Sequence, residues 1–197
     1  MQPGHQNMKE FDKRTEIESK KVKSLAQAME KMKKSIDNEK KAYCVELKKG
    51  IDQYGASPHF SPNLQKIIQE YSTGLEKLAP VYDRATTHIQ DVSCNALGYL
   101  PKKYETYKKS IKVSDKMPEG VHKLKDYEYE RIQYTRQAML HYINAQMLIQ
   151  AQQFQLYADL FDKLEQVNDA DETAALYDNA DWVVKDLKSK GFNMKLK

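Results

Sequence analysis

The 197-residue sequence has little glycine (7 residues) and little proline (6). A β-sandwich or a βαβ enzyme of this length needs many more turn residues, so neither suits it. Two cysteines, Cys44 and Cys94, stand without CxxC spacing or metal-ligand neighbours. That excludes a disulfide scaffold and fits a reducing, cytoplasmic setting. The opening Met1-Gln2-Pro3-Gly4-His5-Gln6-Asn7 has no apolar run and no basic leader, so no secretory signal is expected, nor any lipidation motif. The longest uncharged stretch, 137–158, is interrupted by glutamines, Asn144 and His141, and cannot span a bilayer. Membrane contact, if any, is therefore expected to be peripheral. His5, His59, His88, His122 and His141 are scattered without HExxH, and GxGxxG, P-loop and GxSxG patterns are missing. No enzyme activity, catalytic residue, metal site or cofactor is expected, and His141 reads as a packed or interface imidazole. With only four arginines (Arg14, Arg84, Arg131, Arg136), sequence reading of nucleic acid is not expected either.

What is present is helical periodicity. Hydrophobic residues make up 40% and charged residues 30%, enough apolar material for a core. Inward positions recur at spacings of three and four from Met8 through Val22, Met29, Ile36 and Tyr43 to Tyr54, with polar breaks at Thr15, Glu18 and Glu39. A breaker cluster occupies 55–62, with Ser61 as N-cap and Pro62 at the first helical position. The second stripe runs from Leu64 through Leu75, Tyr82, Ile89, Val92, Ala96, Tyr99, Lys103 and Tyr107 to Ile111. It keeps its phase across Pro80 and Pro101, which are expected to kink the helix without ending it.

Met117-Pro118-Glu119-Gly120 breaks the chain again. A third stripe then runs through Leu124, Glu128, Ile132, Thr135, Met139, Tyr142, Gln146, Ile149 and Leu156 to Val167. Met29, Met32, Met139 and Met147 read as seam filler. Asp169 and Glu172 have capping-box spacing ahead of a short amphipathic helix that stops at Gly191. The expectation is an all-α fold. Residues 1–7 are expected to be disordered. Three long, kinked helices, about 8–54, 62–116 and 120–168, form an elongated antiparallel three-helix coiled coil. A short C-terminal helix over 169–191 docks through Trp182.

Between 137 and 158 the outward positions of the third helix are uncharged as well as the inward ones. A solvent-facing helix surface normally carries Lys and Glu, as residues 8–54 do. A second buried face, and hence a homodimer, is the economical reading, with Ile89, Met139, Tyr142, Ile149, Phe154 and Leu156 as interface residues.

The formal charge is +4 but unevenly spread: residues 8–54 and 102–136 each carry a net +4, and 137–197 carry −3. Lys102, Lys103, Lys108, Lys109, Lys112, Lys116, Lys123 and Lys125 crowd the turn between the second and third helices, with Arg131 and Arg136 beyond. Lysines offer point charges suited to a fluid array of phosphates. These ten residues are the candidate lipid-binding set. Tyr99, Tyr104 and Tyr107, interleaved with them, fit a helix seam as well as they fit base stacking.

Together these features resemble the BAR domain family over about residues 8–168. The resemblance is carried by the proline-containing second helix, the basic run from Leu100-Pro101, the Lys123-Leu124-Lys125-Asp126-Tyr127-Glu128 start of the third helix, and Gln153-Phe154 with Tyr157-Ala158 late in it. It implies a crescent-shaped homodimer that binds anionic phospholipid membranes and senses or induces curvature in endocytosis or membrane trafficking, peripheral on cytoplasmic membranes. The alternative is a helical protein-interaction module, such as a small-GTPase effector or a cytoskeletal coiled-coil adaptor, without direct membrane binding.

Overall fold

The computed structural model describes residues 3–113 and 117–194, with side chains described over 9–110 and 120–194. Its regular elements are all helical: α1 (Pro3–Lys41), a π-helical turn (Ala42–Leu47), α2 (Lys48–Gly55), α3 (Pro62–His88), a second π-helical turn (Ile89–Cys94), α4 (Asn95–Val113), α5 (Met117–Leu164), α6 (Asp169–Leu176) and α7 (Asp181–Ser189). The residues flanking both π turns keep right-handed helical dihedrals, so the turns interrupt the hydrogen-bond register and not the helix. α3 runs through Pro80 and α4 through Pro101.

Several expected boundaries are corrected. α1 begins at Pro3, inside the segment read as disordered. Met117-Pro118-Glu119-Gly120 is not a break. It is the first turn of α5, where a proline lacks no needed hydrogen bond. α5 ends at Leu164 and not near 168, its last carbonyls being taken up by the 165–167 turn. The single helix expected over 169–191 is two helices. Asp178 and Asn179 between them adopt positive φ of 52° and 55°, a conformation that short Asx side chains tolerate and a helix does not. Trp182 does not dock this segment. It is 67% exposed and meets Tyr177 edge-on, while Val183 is the buried anchor.

The chain divides into two compact units, Met1–Asp37 with Asp83–Leu148, and Asn38–Tyr82 with Ile149–Lys197. In the first unit three helical segments are tied antiparallel in sequence. Gln90 donates to Glu30 and, fourteen residues on, Tyr104 donates to Asp12, so the 89–113 segment opposes α1. The Ser93 hydroxyl donates to the Ala138 carbonyl at 2.9 Å and Lys103 pairs with Glu130, so α4 also opposes α5. Its core holds Val22, Met29, Ile36, Ala85, Ile89, Leu97, Leu100, Tyr104, Leu124, Tyr127, Ala138 and Ala145.

That core departs from the expected stripes in one systematic way. The second stripe holds through Ile89 and then slips by one residue: Ser93, Leu97, Leu100 and Tyr104 are buried where Val92, Ala96, Tyr99 and Lys103 were expected. The slip falls at the π turn 89–94, which places one extra residue in a helical turn and re-aims everything after it. On α5 the buried row likewise takes in Tyr127, Ala138 and Ala145 and not Glu128, Met139 and Gln146. Met32, Met139 and Met147 are accordingly exposed and fill no seam.

In the second unit the Tyr82 hydroxyl donates to Glu39, and the Gln153 amide donates to both, at 3.1 Å to Glu39 and 2.7 Å to the Tyr82 oxygen. Ser72 donates to Asp52, and Lys163 pairs with Glu70 at 2.6 Å. Ser61 caps α3 as expected, accepting from the Leu64 N–H at 3.1 Å. Glu172 forms no capping box. It accepts from the Ser61 hydroxyl and N–H, while Asn168 caps α6 through the N–H groups of Ala170 and Asp171. Cys44, Ile67, Ile68, Leu75, Leu78, Tyr82, Ile149, Leu160, Ala170, Ala174 and Val183 form this core.

Candidate functional site

In the first unit, α4 and the start of α5 present the lysine-rich surface. Because the π turn rotates Tyr99 outward, its ring joins Lys102, Lys103, Thr106, Tyr107 and Ser110 of α4 and Lys123 of α5 around a cavity of about 320 Å³. The Thr106 and Ser110 hydroxyls in this wall donate to the Lys102 and Tyr107 carbonyls at 3.2 and 2.8 Å, and Lys103 pairs with Glu130, so the charge turned to the concavity comes from Lys102 and Lys123. Thr106 and Ser110 were not among the residues expected here, and Tyr99 was expected in the helix seam or as a stacking ring. The polar run 90–95 carries no periodicity that announces an extra residue.

The ten expected lipid-binding residues do not act alike. Lys103 is paired with Glu130, and its ammonium stands 5.9 Å from the Tyr107 ring centroid. Lys108 pairs with Glu16 at 2.9 Å and lies 5.9 Å from the Tyr104 ring. Hydrogen bonds donated to Glu130 and Glu16 raise the pKa values of these two lysines, and the Lys108 ammonium holds Glu16 below the usual carboxylate range. Arg131 donates through Nε and Nη2 to one Glu128 oxygen at 2.9 and 2.7 Å and stands 3.6 Å from Glu18. These three cations tie helices together through ion pairs with Glu130, Glu16 and Glu18. Lys102, Lys109 and Arg136 are exposed and make no ion pair with another described residue. Lys125 is exposed, 3.9 Å from an equally exposed Asp126, a spacing that contributes little. Lys123 is half-buried at the cavity wall. The side chains of Lys112 and Lys116 lie outside the described residues.

The expected interface residues also separate. In the first unit Ile89 is wholly buried in the core, and Tyr142 is half-buried with its hydroxyl accepting from Gln146 at 3.2 Å. Met139 is exposed, and beside it on α5 stand Leu140, Ile143 and Met147, all exposed apolar side chains that the sequence stripe did not single out. In the second unit Ile149 is 2% exposed and belongs to the core. Leu156 packs where a Cβ on Gly74 would have to sit. Phe154 is 74% exposed, with Phe161 also exposed along the same helix. Ile89 and Ile149 are therefore no part of any surface of this chain.

His141 is a packed imidazole whose Nδ1 meets His88 Nε2 at 2.7 Å. Cys44 and Cys94 are buried, and burial pushes the Cys94 thiol up to about 11, with Glu30 adding to the shift. Among the described residues no group of three or more His, Cys, Asp or Glu side chains could hold a metal ion, and no helix is long and apolar enough to cross a membrane. Comparison with protein-family models, with curated proteins and with solved structures finds no match for the chain.

Proposed function

We propose that the chain is a BAR-like, crescent-shaped homodimeric scaffold that docks on anionic membranes electrostatically and senses or induces curvature, with no catalytic step. The observation that carries this reading is the set of uncommitted cations on the first unit: Lys102, Lys109, Lys125 and Arg136. Each contributes about 1 kcal/mol near an anionic leaflet, within a Debye length of about 8 Å at physiological salt. Four such groups hold one protomer at roughly millimolar affinity. Two protomers fixed in one body double the charge facing the membrane and reach roughly micromolar affinity. Self-association is thus what turns a weak charge patch into a membrane-binding device, and the exposed row Met139, Leu140, Ile143 and Met147 is the surface proposed for it.

The test is co-sedimentation with vesicles of graded phosphatidylserine content across a salt series. Binding should rise with anionic lipid, fall with salt, and drop at least tenfold when Lys102, Lys109, Lys125 and Arg136 are changed to Glu. Binding indifferent to lipid charge and salt contradicts the proposal.

One observation favours a second reading. Met139 and Met147 stand exposed on that row, and methionine is the side chain that adapts to varied protein partners. A chain that sediments as a monomer and ignores vesicles fits the interaction-module reading, with a small GTPase or a cytoskeletal protein as partner.

A further inference from the structure

The second unit exposes a pair of aromatic rings at the turn between α6 and α7. Trp182 is 67% exposed and Tyr177 51%, so neither ring serves the core. The rings nevertheless hold each other. Their centroids stand 5.9 Å apart, with the planes inclined by 66°. An edge-to-face pair of this kind leaves an open angle between two ring faces.

The backbone sets that angle. Asp178 and Asn179 adopt positive φ of 52° and 55°, the non-glycine residues that do so among those described. They turn the chain so that the rings at 177 and 182 meet. The Asn179 N–H donates to the Ala174 carbonyl at 2.8 Å and the Ala180 N–H to the Tyr177 carbonyl at 3.0 Å, which fixes the turn. Val183, next to Trp182, is buried and anchors the start of α7. Left-handed backbone at consecutive non-glycine residues is costly, persists only where the fold holds it, and gathers at ligand clamps.

The charges decide what the rings accept. Asp178 and Asp181 lie in the turn, and neither makes an ion pair with another described residue. Asp181 also offsets the partial positive charge at the start of α7. Residues 173–184 hold no lysine or arginine. Lys185 is one turn further along α7, whereas the Trp182 ring reaches back to Tyr177. Among the described residues the cations over ring faces are Lys103 and Lys108, so the Trp182 ring carries none. A ring face attracts a cation within about 6 Å of its centroid. Two centroids 5.9 Å apart let one cation meet both. A primary ammonium is strongly hydrated and loses much on leaving water. A quaternary ammonium has no N–H to leave unpaired and presents methyl groups to both rings. The geometry points to a binding site for a trimethylammonium group of the choline type, seated between Tyr177 and Trp182, with the Asp178 and Asp181 carboxylates beside it in the turn. Free choline and the headgroup of phosphatidylcholine share this group. The site lies in the second unit, uses none of the cations of the membrane reading, and stands independently of it.

Trp182 is the only tryptophan of the chain, so its emission and its indole N–H resonance report this site alone. The test is titration of the full chain with choline at constant ionic strength. The matched probes are 3,3-dimethylbutanol, the uncharged isostere, and ethanolamine, the primary-ammonium counterpart. The expected result is a saturable change at roughly millimolar choline. Choline should bind about fivefold tighter than either probe. Tyr177→Leu should weaken choline about fivefold. Asp178→Asn with Asp181→Asn should weaken it about threefold and leave the isostere unchanged, asparagine being at ease with left-handed backbone. The variant with Lys102, Lys109, Lys125 and Arg136 changed to Glu should bind choline as the unaltered chain does. Phosphatidylcholine vesicles that displace choline mark the lipid headgroup as the source, and vesicles that fail to compete mark a free ligand. Equal affinity for choline and its isostere overturns the assignment, as does a response that never saturates. A trimethyl-lysine peptide that saturates the site while choline fails to displace it overturns it too. The probe comparison on the unaltered chain decides the matter even if a variant fails to fold.

Discussion

Two glutamates control how many lysines the first unit can offer. Glu16 engages Lys108 and Glu130 engages Lys103, each across a helix pair. Removing either carboxylate should free a cation, at a cost of about 1 kcal/mol for a part-buried ion pair between helices. The double variant Glu16→Gln, Glu130→Gln is therefore expected to bind phosphatidylserine vesicles more tightly than the unaltered chain, by roughly fivefold per freed lysine at about 1 kcal/mol each. Vesicle titration at low salt measures this. In the second unit the reverse applies to Tyr82. Its hydroxyl is bonded to Glu39 and Gln153 at a fully buried ring, so Tyr82→Phe leaves polar partners unsatisfied and should cost about 1–3 kcal/mol in urea denaturation. Acids with raised pKa values, the buried Cys94 thiol and the more open Tyr157 phenol, set the alkaline limit. Cys94 is held up to about 11 and Tyr157 to about 12, each chiefly by burial. Between its unfolded and folded pKa each group keeps a proton in the folded chain that the unfolded chain has lost. Stability should thus be flat below about pH 9 and fall as pH rises toward 11, and thermal melts across that range check it.

At the scale of elements, much of the fold is legible in the sequence because spacing and capping act locally. Ser61-Pro62 announces α3, and the prolines at 80 and 101 sit inside helices as the unbroken stripe implies. The rest is not legible, for a specific reason. A π turn adds one residue to a turn without any residue type that marks it, so the stripe looks continuous while the buried row shifts from Val92 and Tyr99 to Ser93 and Leu100. Tyr99 moves from expected core to the cavity wall by that shift alone. On α5 Ile149 is buried as its stripe position implies, which removes it from any interface, while Leu140 and Ile143 stand exposed off the expected stripe. The lysine set was legible as a cluster but not as a partition, because whether a lysine faces Glu130 or solvent depends on its neighbour across the helix pair. A deletion tests the π turn. Removing Asp91 converts it to an α-helical turn and leaves the faces of α4 in place, so the variant should fold with a loss of about 1–3 kcal/mol. Removing Gln133 from the regular part of α5 rotates the remainder of that helix by about 100° and should abolish cooperative melting by circular dichroism.

At the scale of the whole molecule, the proposed function requires two surfaces to act together, their effects multiplying. Exposed cations alone are too few for useful membrane affinity, and an exposed apolar row alone says nothing about lipid. If two copies pair through Met139, Leu140, Ile143 and Met147, losing the pairing must also lose the membrane. The direct measurement takes Met139→Glu with Ile143→Glu, both at exposed positions, through sedimentation equilibrium and vesicle co-sedimentation on the same preparation. The expected result is a dimer becoming a monomer and vesicle binding falling at least a hundredfold with it. A variant that is monomeric yet binds vesicles as tightly as the unaltered chain, or an unaltered chain already monomeric at micromolar concentration, contradicts the dimer-scaffold account.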